Sequence, residues 1–457
     1  MNKKIVAKTA VLLIALFLGT ALGWAQSENG AASKDGSTQD TLRLSEAVAK
    51  ALQNNHNIQI ARNQVQIDKN NATWGNAGLL PELSLNGSAN RSRNNTQQVY
   101  AGNQPDNNTD GAVSETYNAS LDMQYTLFDG FGNYYRFQSL ENLKDLSGVQ
   151  SRLDIENTLV QLLQQYLNVI ALSRETEIDR EAMEISKDRY ERVRSQYQMG
   201  GRNKVSVLNA EVALNQDSVR YFQNISELNK AKHELQVLLG EEPRQDVTVQ
   251  QSINLAETLT LPEIMQSAVN ENASLVAADL QMRQSELSLK QNTARRYPQL
   301  NANASYSYNR SENDASFIEF QETDGLSAGL SLRFNIFNGF QQNIDVQNAK
   351  IRLKNSEQQK ELTRKQVRKE VLNTYEDYEN SLFLLDKQEV RVETARLNFR
   401  RTEEQFNQGQ VTNSEFREAQ LNLLQARLEM VNMKVNAKLS EIRLQQLAGK
   451  LIEKKSP

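Results

Sequence analysis

The sequence has no cysteine and only two histidines, His56 and His233, among its 457 residues. A chain without cysteine cannot form a disulfide, a thiolate nucleophile, an iron–sulfur cluster or a cysteine-ligated zinc site, and it cannot be acylated on a cysteine. Two separate histidines also argue against a histidine-rich metal site and a histidine-dependent hydrolase. We therefore expect no metal, no cofactor and no catalytic residue.

Proline is scarce as well, with 6 residues in the chain, where about 5% of residues is ordinary. Because proline interrupts helices, a chain with so few prolines can form very long ones. Beyond the N-terminus, no segment reaches the ~18–20 consecutive apolar residues of a membrane-spanning helix.

The N-terminus has the pattern of a secretory signal peptide. Three lysines precede the short apolar run 11–18, and the small residues Gly23 and Ala25 stand just before a cleavage point. We predict a signal peptide at 1–25 and a flexible linker at 26–40, with an N-terminal anchor helix as the alternative. Cleavage would change the net charge from −4 to −7, and an acidic secreted chain is a poor partner for nucleic acid.

The two halves of the chain are similar to each other. Leu44 aligns with Leu261 at an offset of 217 residues, which holds through Ser88. From Phe128 the offset is 209 residues, and it holds to the end of the repeat at Gly240 and Gly449. We predict a duplicated domain with these parts: a first repeat at 41–240, a linker at 241–260, a second repeat at 261–449 and a C-terminal tail at 450–457.

Each repeat contains a segment of alternating apolar and polar residues, at about 82–128 and 299–337. In the first segment Leu83 and Leu85 alternate with polar neighbours. This alternation, over the ~9–11 residues needed to cross a bilayer, is typical of transmembrane β-strands. A soluble antiparallel sheet with one wet face is the alternative. We expect polar loops between the paired strands at roughly 91–114 and 310–323.

Long helices follow each hairpin. The stretches 134–199 and 342–408 contain no proline, and each is long enough for a helix of about 100 Å. Each ends at a glycine turn and runs back as a helix with an apolar stripe, which is typical of coiled coils. The stripes are Val205, Leu208, Val212, Val219 and Phe222 in the first repeat, and Leu421, Leu424, Leu428, Val431 and Val435 in the second.

Four strands cannot close a barrel, since about eight are the minimum. Every strand edge in a membrane must nevertheless be paired. Two chains would give eight strands and an interior filled by side chains, so three chains are the smallest assembly that leaves a channel. The pattern therefore predicts a homotrimer.

With these features the sequence resembles the TolC family of outer-membrane efflux proteins over about residues 41–449. The resemblance rests on the Pro-x-Leu entries at Pro81 and Pro298, the Phe-Asp/Asn-Gly-Phe exits and the two tip motifs, 197–200 and 406–409. It implies a mostly α-helical fold with membrane β-strands, in which each protomer gives four strands to a trimeric twelve-stranded barrel. Long antiparallel coiled-coil helices then form a periplasmic α-barrel.

The resemblance also implies the function and the partners. The chain is expected in the outer membrane of a Gram-negative bacterium, as the exit duct of a tripartite efflux or type I secretion system. Its partners would be a periplasmic adaptor protein, an inner-membrane transporter of the RND or ABC class, and outer-membrane lipid. The alternatives are a structural or adhesive trimeric coiled coil without a channel, and a secreted hydrolase that uses carboxylates alone. The cargo stays open.

The resemblance places a channel gate and selectivity ring on Glu415 and Glu418, because rings of charge select ions in a narrow bore. The residues themselves favour a second role, since Thr412 to Glu415 fits a helix capping box. Val411 stands where the best-known relatives carry an arginine that locks the closed tip.

The remaining candidate residues belong to turns. We expect the periplasmic tip turns to dock the adaptor, and a few residues to make the helix-to-strand transitions. The tip candidates are Gly200, Gly201, Asn203, Gly409, Gln410 and Asn413, and the transition candidates are Pro81, Gly130, Pro298 and Gly339.

Overall fold

The computed structural model describes residues 41–99, 101–102, 107–244, 247–255, 259–314, 316 and 318–452. The predicted signal peptide at 1–25 and linker at 26–40 lie outside these residues.

The same order of elements occurs twice along the chain. The first set is α1 (Leu44–Asn54), α2 (His56–Asn71), β1 (Glu82–Gln98), β2 (Asn107–Phe128), α3 (Gly132–Gln198) and α4 (Lys204–Leu239). The second set is α5 (Leu261–Glu271), α6 (Ala273–Ala294), β3 (Gln299–Asn313), β4 (Phe320–Arg333), α7 (Gln341–Asn407) and α8 (Asn413–Leu447). The internal repeat seen in the sequence is therefore a structural repeat.

The two long helices, α3 and α7, each have 67 residues, which corresponds to about 100 Å of length. Neither contains proline, and the interior of α3 has one glycine, Gly148. Nothing in these sequences therefore forces a break. The residues that precede them, Phe131 and Phe340, have φ angles of 69° and 65° and turn the chain from strand into helix.

The returning helices α4 and α8 pack along α3 and α7. In α8 Leu424 and Val435 of the predicted stripe are buried, whereas Leu421 at its start is exposed. In α4 the predicted stripe, which includes Leu208 and Phe222, is exposed on the single chain. The buried face of α4 is instead formed by small and apolar residues that allow close approach to α3: Val207, Ala210, Ala213, Ala231 and Leu235.

The helices are arranged side by side around α3. Toward the sheet, α3 contacts both α2 and α6, and α6 in turn contacts α7. Toward the opposite end, α3 contacts α4 and α8, and α8 contacts α7. Four helices thus lie side by side at each end of α3. Near the sheet their order is α2, α3, α6 and α7, and near the tip it is α4, α3, α8 and α7.

The main apolar core lies midway along α3, where residues between Leu159 and Ala171 contact α1 and α4. The connection between the repeats packs on the same core, because Val249 is buried and forms a bridge with Leu42. The Tyr166 hydroxyl donates to the Leu42 carbonyl at 2.8 Å, and burial raises the pKa of that tyrosine.

The four strands form one antiparallel sheet in the order β1-β2-β3-β4. The register places Leu85, Leu121, Tyr306 and Leu326 in one apolar row across all four strands. A neighbouring row on the other face is polar, and there Asp122 accepts hydrogen bonds from Ser305 at 2.5 Å and from Asn86 at 2.8 Å. The sheet is open, so among the described residues the outer edges of β1 and β4 pair with no other strand.

Element ends differ from the expectations at two places. The strands of each hairpin extend into the segments expected as loops, because backbone pairing continues through residues such as Arg93 and Val113. β4 ends at Arg333, short of the expected 337, because its partner strand begins opposite it at Gln299. The helix α2 ends at Asn71, where the chain enters a turn that leads to Pro81.

Within the described residues, no helix combines the length and the apolar character needed to cross a membrane.

Candidate functional site at the helical tip

Both long helices end in the same glycine turn, which reverses the chain at one end of the molecule. Gly200 and Gly409 have φ angles of 80° and 76°, a conformation in which glycine is favoured. The next residues close a Schellman motif, since the Gly201 N–H donates to the Gln196 carbonyl at 2.8 Å and the Gln410 N–H donates to the Gln405 carbonyl at 2.9 Å. A Cβ on either positive-φ glycine would meet open space, so the turn geometry, and not close packing, requires them.

The structure brings the two tip turns together around an open cavity of about 540 Å³, to which Gly201, Gly409 and Gln410 contribute. Arg202 also lines this cavity, and its guanidinium lies 5.9 Å from the centre of the Phe406 ring. Exposed backbone and one cation thus occupy the surface predicted for adaptor docking.

Caps start the returning helices at the tip. The exposed Asn203 caps α4, and its side-chain oxygen accepts from the Ser206 N–H at 2.9 Å. Asn413 is the first residue of α8, and its side-chain oxygen is buried with no hydrogen-bond partner among the described residues. The two asparagines therefore do not play equivalent roles, although they occupy similar places in the repeats.

Glu415 forms the capping box that the sequence indicates. The Thr412 N–H donates to its carboxylate at 2.6 Å, and the Glu415 N–H donates to the Thr412 hydroxyl oxygen at 3.3 Å. The Thr412 backbone N–H, followed by the Thr412 hydroxyl, lowers the pKa of Glu415. The carboxylate therefore stays ionised at neutral pH while it caps the helix, and it is exposed at the tip.

Glu418 lies one turn further along α8 and is also exposed. It lines an open cleft of about 880 Å³ between α4 and α8. Val411 is half-buried and packs on an aromatic cluster of Phe399, Phe406 and Phe416. An apolar contact thus occupies the position at which the resemblance places an arginine.

A buried polar network above the tip was missed in the sequence analysis. Asp217 on α4 has no exposed surface. It accepts from Arg417 of α8 at 2.6 Å and 2.9 Å, from Arg220 at 2.7 Å and from Ser186 of α3 at 2.5 Å. The network therefore ties together three helices that come from both repeats.

Asp179 of α3 extends the network. It accepts from Arg220 at 2.7 Å and from Asn224 at 2.6 Å. Burial raises the pKa of Asp179, and the positive charge of Arg220 opposes that shift. Runs of alternating charge on a helix usually mark a solvated face, so only the spacing of apolar residues around Asp217 could have indicated burial.

The transition residues lie at the other end of the long helices. Pro81 and Pro298 immediately precede β1 and β3. Gly130 has a φ of 70°, and a Cβ at this position would lie 2.5 Å from the Ala294 carbonyl oxygen. Its repeat mate Gly339 has a φ of 65°, but a Cβ there would meet no described atom within 4 Å.

Comparison with known proteins identifies one family. The model of the outer membrane efflux protein family matches residues 47–241 and 264–450, which correspond to the two structural repeats. The alkaline protease secretion protein AprF of Pseudomonas aeruginosa is 22% identical over 426 residues, which cover 90% of this chain and 85% of that protein.

Solved structures share the fold at low sequence identity. The Campylobacter jejuni CmeC outer membrane channel has a TM-score of 0.77 and 15% identity, and the match covers 96% of this chain and 92% of that one. The outer membrane protein VceC of Vibrio cholerae has a TM-score of 0.71 and 16% identity, and the match covers 89% of this chain and 96% of that one.

Proposed function

The chain belongs to the outer membrane efflux protein family, and from this premise we propose that three copies close into one exit duct through the outer membrane and the periplasm. The proposal rests on one observation: the sheet has two unpaired edge strands, the row of helices ends at α7 with one side uncovered, and a second copy would cover both.

The sheet supplies the first edge. β1 and β4 expose backbone groups that pair with no described strand, and in a bilayer such groups must be satisfied. Joining β4 of one copy to β1 of the next satisfies both edges. Because each copy brings four strands, three copies give the smallest closed barrel with a water-filled interior. The polar row around Asp122 would then face the bore.

The helices supply the second edge. α3 is flanked by α2 and α6, whereas its repeat mate α7 has α6 on one side. The remaining surface of α7 carries exposed apolar residues, which are Ile344, Ile351, Leu362, Leu372, Phe383, Val390 and Leu397. Exposed apolar stripes of this length mark protein interfaces. The exposed stripe of α4, with Leu208 and Phe222, is the matching surface near the tip.

Repeat symmetry assigns the partner of each surface. Since α6 occupies one side of α3, its repeat mate, the α2 helix of a second copy, would occupy the equivalent side of α7. Gly339 would then approach the neighbouring copy as Gly130 approaches Ala294 within the chain. This accounts for a glycine at 339 that nothing within the chain requires to be small.

The tip would control conduction. Three copies would place three pairs of Glu415 and Glu418 carboxylates around the axis, and such rings attract cations. The exposed tip turns at Gly200 and Gly409 would receive a periplasmic adaptor that links the duct to an inner-membrane transporter. The relative AprF is named for protease secretion, so a polypeptide is a candidate cargo beside small molecules.

Extraction from outer membranes tests this function. In mild detergent the chain should migrate as a heat-sensitive species with three times the mass of one mature copy, and it should conduct ions in planar bilayers. The Phe222→Asp variant should weaken the trimer, because it places a charge on the exposed α4 stripe. The Met199→Asp variant changes an exposed apolar residue of the tip turn and should leave the trimer intact. A soluble monomer would refute the proposal.

A further inference from the structure

Arg189 forms the base of the cleft between α4 and α8. Only 3% of its surface is exposed, and it lies on α3, which packs against both of the helices that flank the cleft. The guanidinium carbon is 5.8 Å from the centre of the Phe416 ring. The tip therefore holds a cation at the meeting point of three helices.

Among the described residues, the guanidinium has no hydrogen-bond or ion-pair partner. Its Nε and Nη1 atoms are buried and have no hydrogen-bond partner among the described residues. A buried charge without an ion-pair partner is strongly unfavourable. Burial, together with the nearby charge of Arg417, lowers the pKa of Arg189 to about 10 against the opposing effect of the Asp217 charge, which still leaves the group protonated at neutral pH.

The nearby acids are already committed to other groups. Asp217 binds Arg417 and Arg220, and Asp179 binds Arg220. The cluster therefore has three arginines and two aspartates, and the excess positive charge lies on Arg189. Glu418 lines the same cleft, but its side chain is exposed to solvent.

The cleft has the size and lining to hold a ligand. It measures about 880 Å³ and is open to solvent, and amide side chains line it beside the arginines: Asn209, Gln216, Asn413, Asn422 and Gln425. Planar guanidinium groups match the geometry of carboxylate and phosphate oxygens, and amide N–H groups donate to the same oxygens.

The site is not a by-product of the repeat. At the offset of 209 residues, Arg189 corresponds to Asn398 and Asp217 to Ala426, while Arg417 corresponds to Leu208. None of these three counterparts carries a charge, so the repeat does not account for the charged cleft between α4 and α8.

We propose that this cleft is a binding site for an oxyanion, a phosphate or a carboxylate, with Arg189 as its anchoring residue. All residues of the site belong to one chain, and the inference does not rest on conduction. The oxyanion has two possible sources, a free ion of the periplasm or a carboxylate side chain of a second copy.

Titration of the full-length protein in detergent with inorganic phosphate tests the site. For a free ion, calorimetry should detect saturable binding, and the melting temperature should rise with phosphate concentration. The Arg189→Gln variant should weaken phosphate binding by about tenfold or more, since it removes charge-assisted hydrogen bonds. The matched control Arg194→Gln, an exposed arginine of the same helix, should bind as the unaltered protein does.

Two further variants sharpen the result. Arg189→Lys keeps the charge but removes the planar donor set, so it should fold and bind phosphate more weakly. Glu418→Gln removes a neighbouring negative charge and should strengthen phosphate binding.

The second source gives a different pattern. If a carboxylate of another copy fills the cleft, the unaltered protein should bind no phosphate and its melting temperature should not change with phosphate. In that case Arg189→Gln should lower the temperature at which copies dissociate, and Arg194→Gln should not. The proposal is overturned if Arg189→Gln and Arg189→Lys match the unaltered protein in phosphate response and in dissociation temperature.

Discussion

Arg417 on α8 and Asp217 on α4 form a two-pronged ion pair, with Nη1 2.6 Å from Oδ2 and Nη2 2.9 Å from Oδ1. The two residues lie in different repeats, and the aspartate is fully buried. The pair therefore joins the coiled coil of the second repeat to that of the first, close to the tip where the duct would narrow.

Removal of Asp217 should show how strongly the stability of the fold depends on this ion pair. We expect Asp217→Ala to destabilise the protein by about 3–5 kcal/mol, because Arg417 then loses its buried counter-charge and Arg220 keeps only Asp179. Urea unfolding followed by circular dichroism measures the change. The control Glu227→Ala removes an exposed pair with Lys230 and should cost less than about 1 kcal/mol. Equal effects of the two variants would mean that the buried pair has no special role.

The proposed selectivity ring can be separated from helix capping. Glu415→Gln keeps a side chain that can complete a capping box but removes the charge. Combined with Glu418→Gln, it should reduce cation selectivity and weaken block by multivalent cations in planar bilayers. Glu211→Gln, an exposed acid of α4, serves as the control. Unaltered selectivity in the double variant would leave Glu415 with the capping role alone.

The cap at Glu415 should respond to pH in a defined direction. The folded pKa lies below the ordinary value of 4.5, so the cap contributes its full stabilisation above 4.5 and loses it as the pH falls through the folded pKa. Hydrogen exchange of the first turn of α8, corrected for intrinsic rates, should accelerate in that window. The Glu415→Gln variant should show no such step, and a step that persists in it would assign the effect to another group.

Three glycine substitutions distinguish backbone geometry from close packing. Gly409→Ala should cost about 1–2 kcal/mol, because only its positive φ is affected. Gly130→Ala should cost more, by about 1–3 kcal/mol, because its Cβ would also meet the Ala294 carbonyl oxygen. Heat denaturation measures both.

Gly339→Ala adds a test of assembly. In a single chain its stability cost should equal that of Gly409→Ala, since a Cβ there meets open space. In the assembled duct its stability cost should rise to that of Gly130→Ala, because a neighbouring copy would occupy that space. A dissociation temperature that Gly339→Ala leaves unaltered would contradict the proposed contact.

The sequence predicted the parts of the fold that rest on strong local signals. The long helices have no internal proline, and their ends are marked by glycine turns, so their spans were predicted to within two residues. The capping box at Thr412 was also visible, because its chemistry depends on residues three positions apart.

The parts that the sequence did not predict depend on contacts between distant segments. The outer halves of the strands, near Arg91 and Glu115, are polar on both faces, so no alternation marks them. The buried face of α4 is shifted from its most apolar stripe, because small residues such as Ala210 pack against α3 while Leu208 and Phe222 stay exposed. In the sequence, Asp217 and Arg189 have the pattern of surface charges, and their burial becomes evident only from the packing of α8.

The closure of three copies is tested most directly by a disulfide between neighbouring strands, since the chain has no cysteine of its own. Within the chain, Leu121 of β2 pairs with Tyr306 of β3. The strand registers are equivalent in the two hairpins, since Leu85 pairs with Leu121 and its repeat mate Ala302 pairs with Leu330. The repeat therefore carries the pair of Leu121 and Tyr306 to Leu330 of β4 and Ala89 of β1 in the next copy.

The double variant Leu330→Cys with Ala89→Cys should therefore oxidise to a covalent trimer that survives boiling and separates into monomers on reduction. The double variant Leu330→Cys with Asn90→Cys, which places the second cysteine on the opposite face of β1, is the matched control and should stay monomeric after boiling. Monomers from both variants under oxidising conditions would contradict the shared barrel.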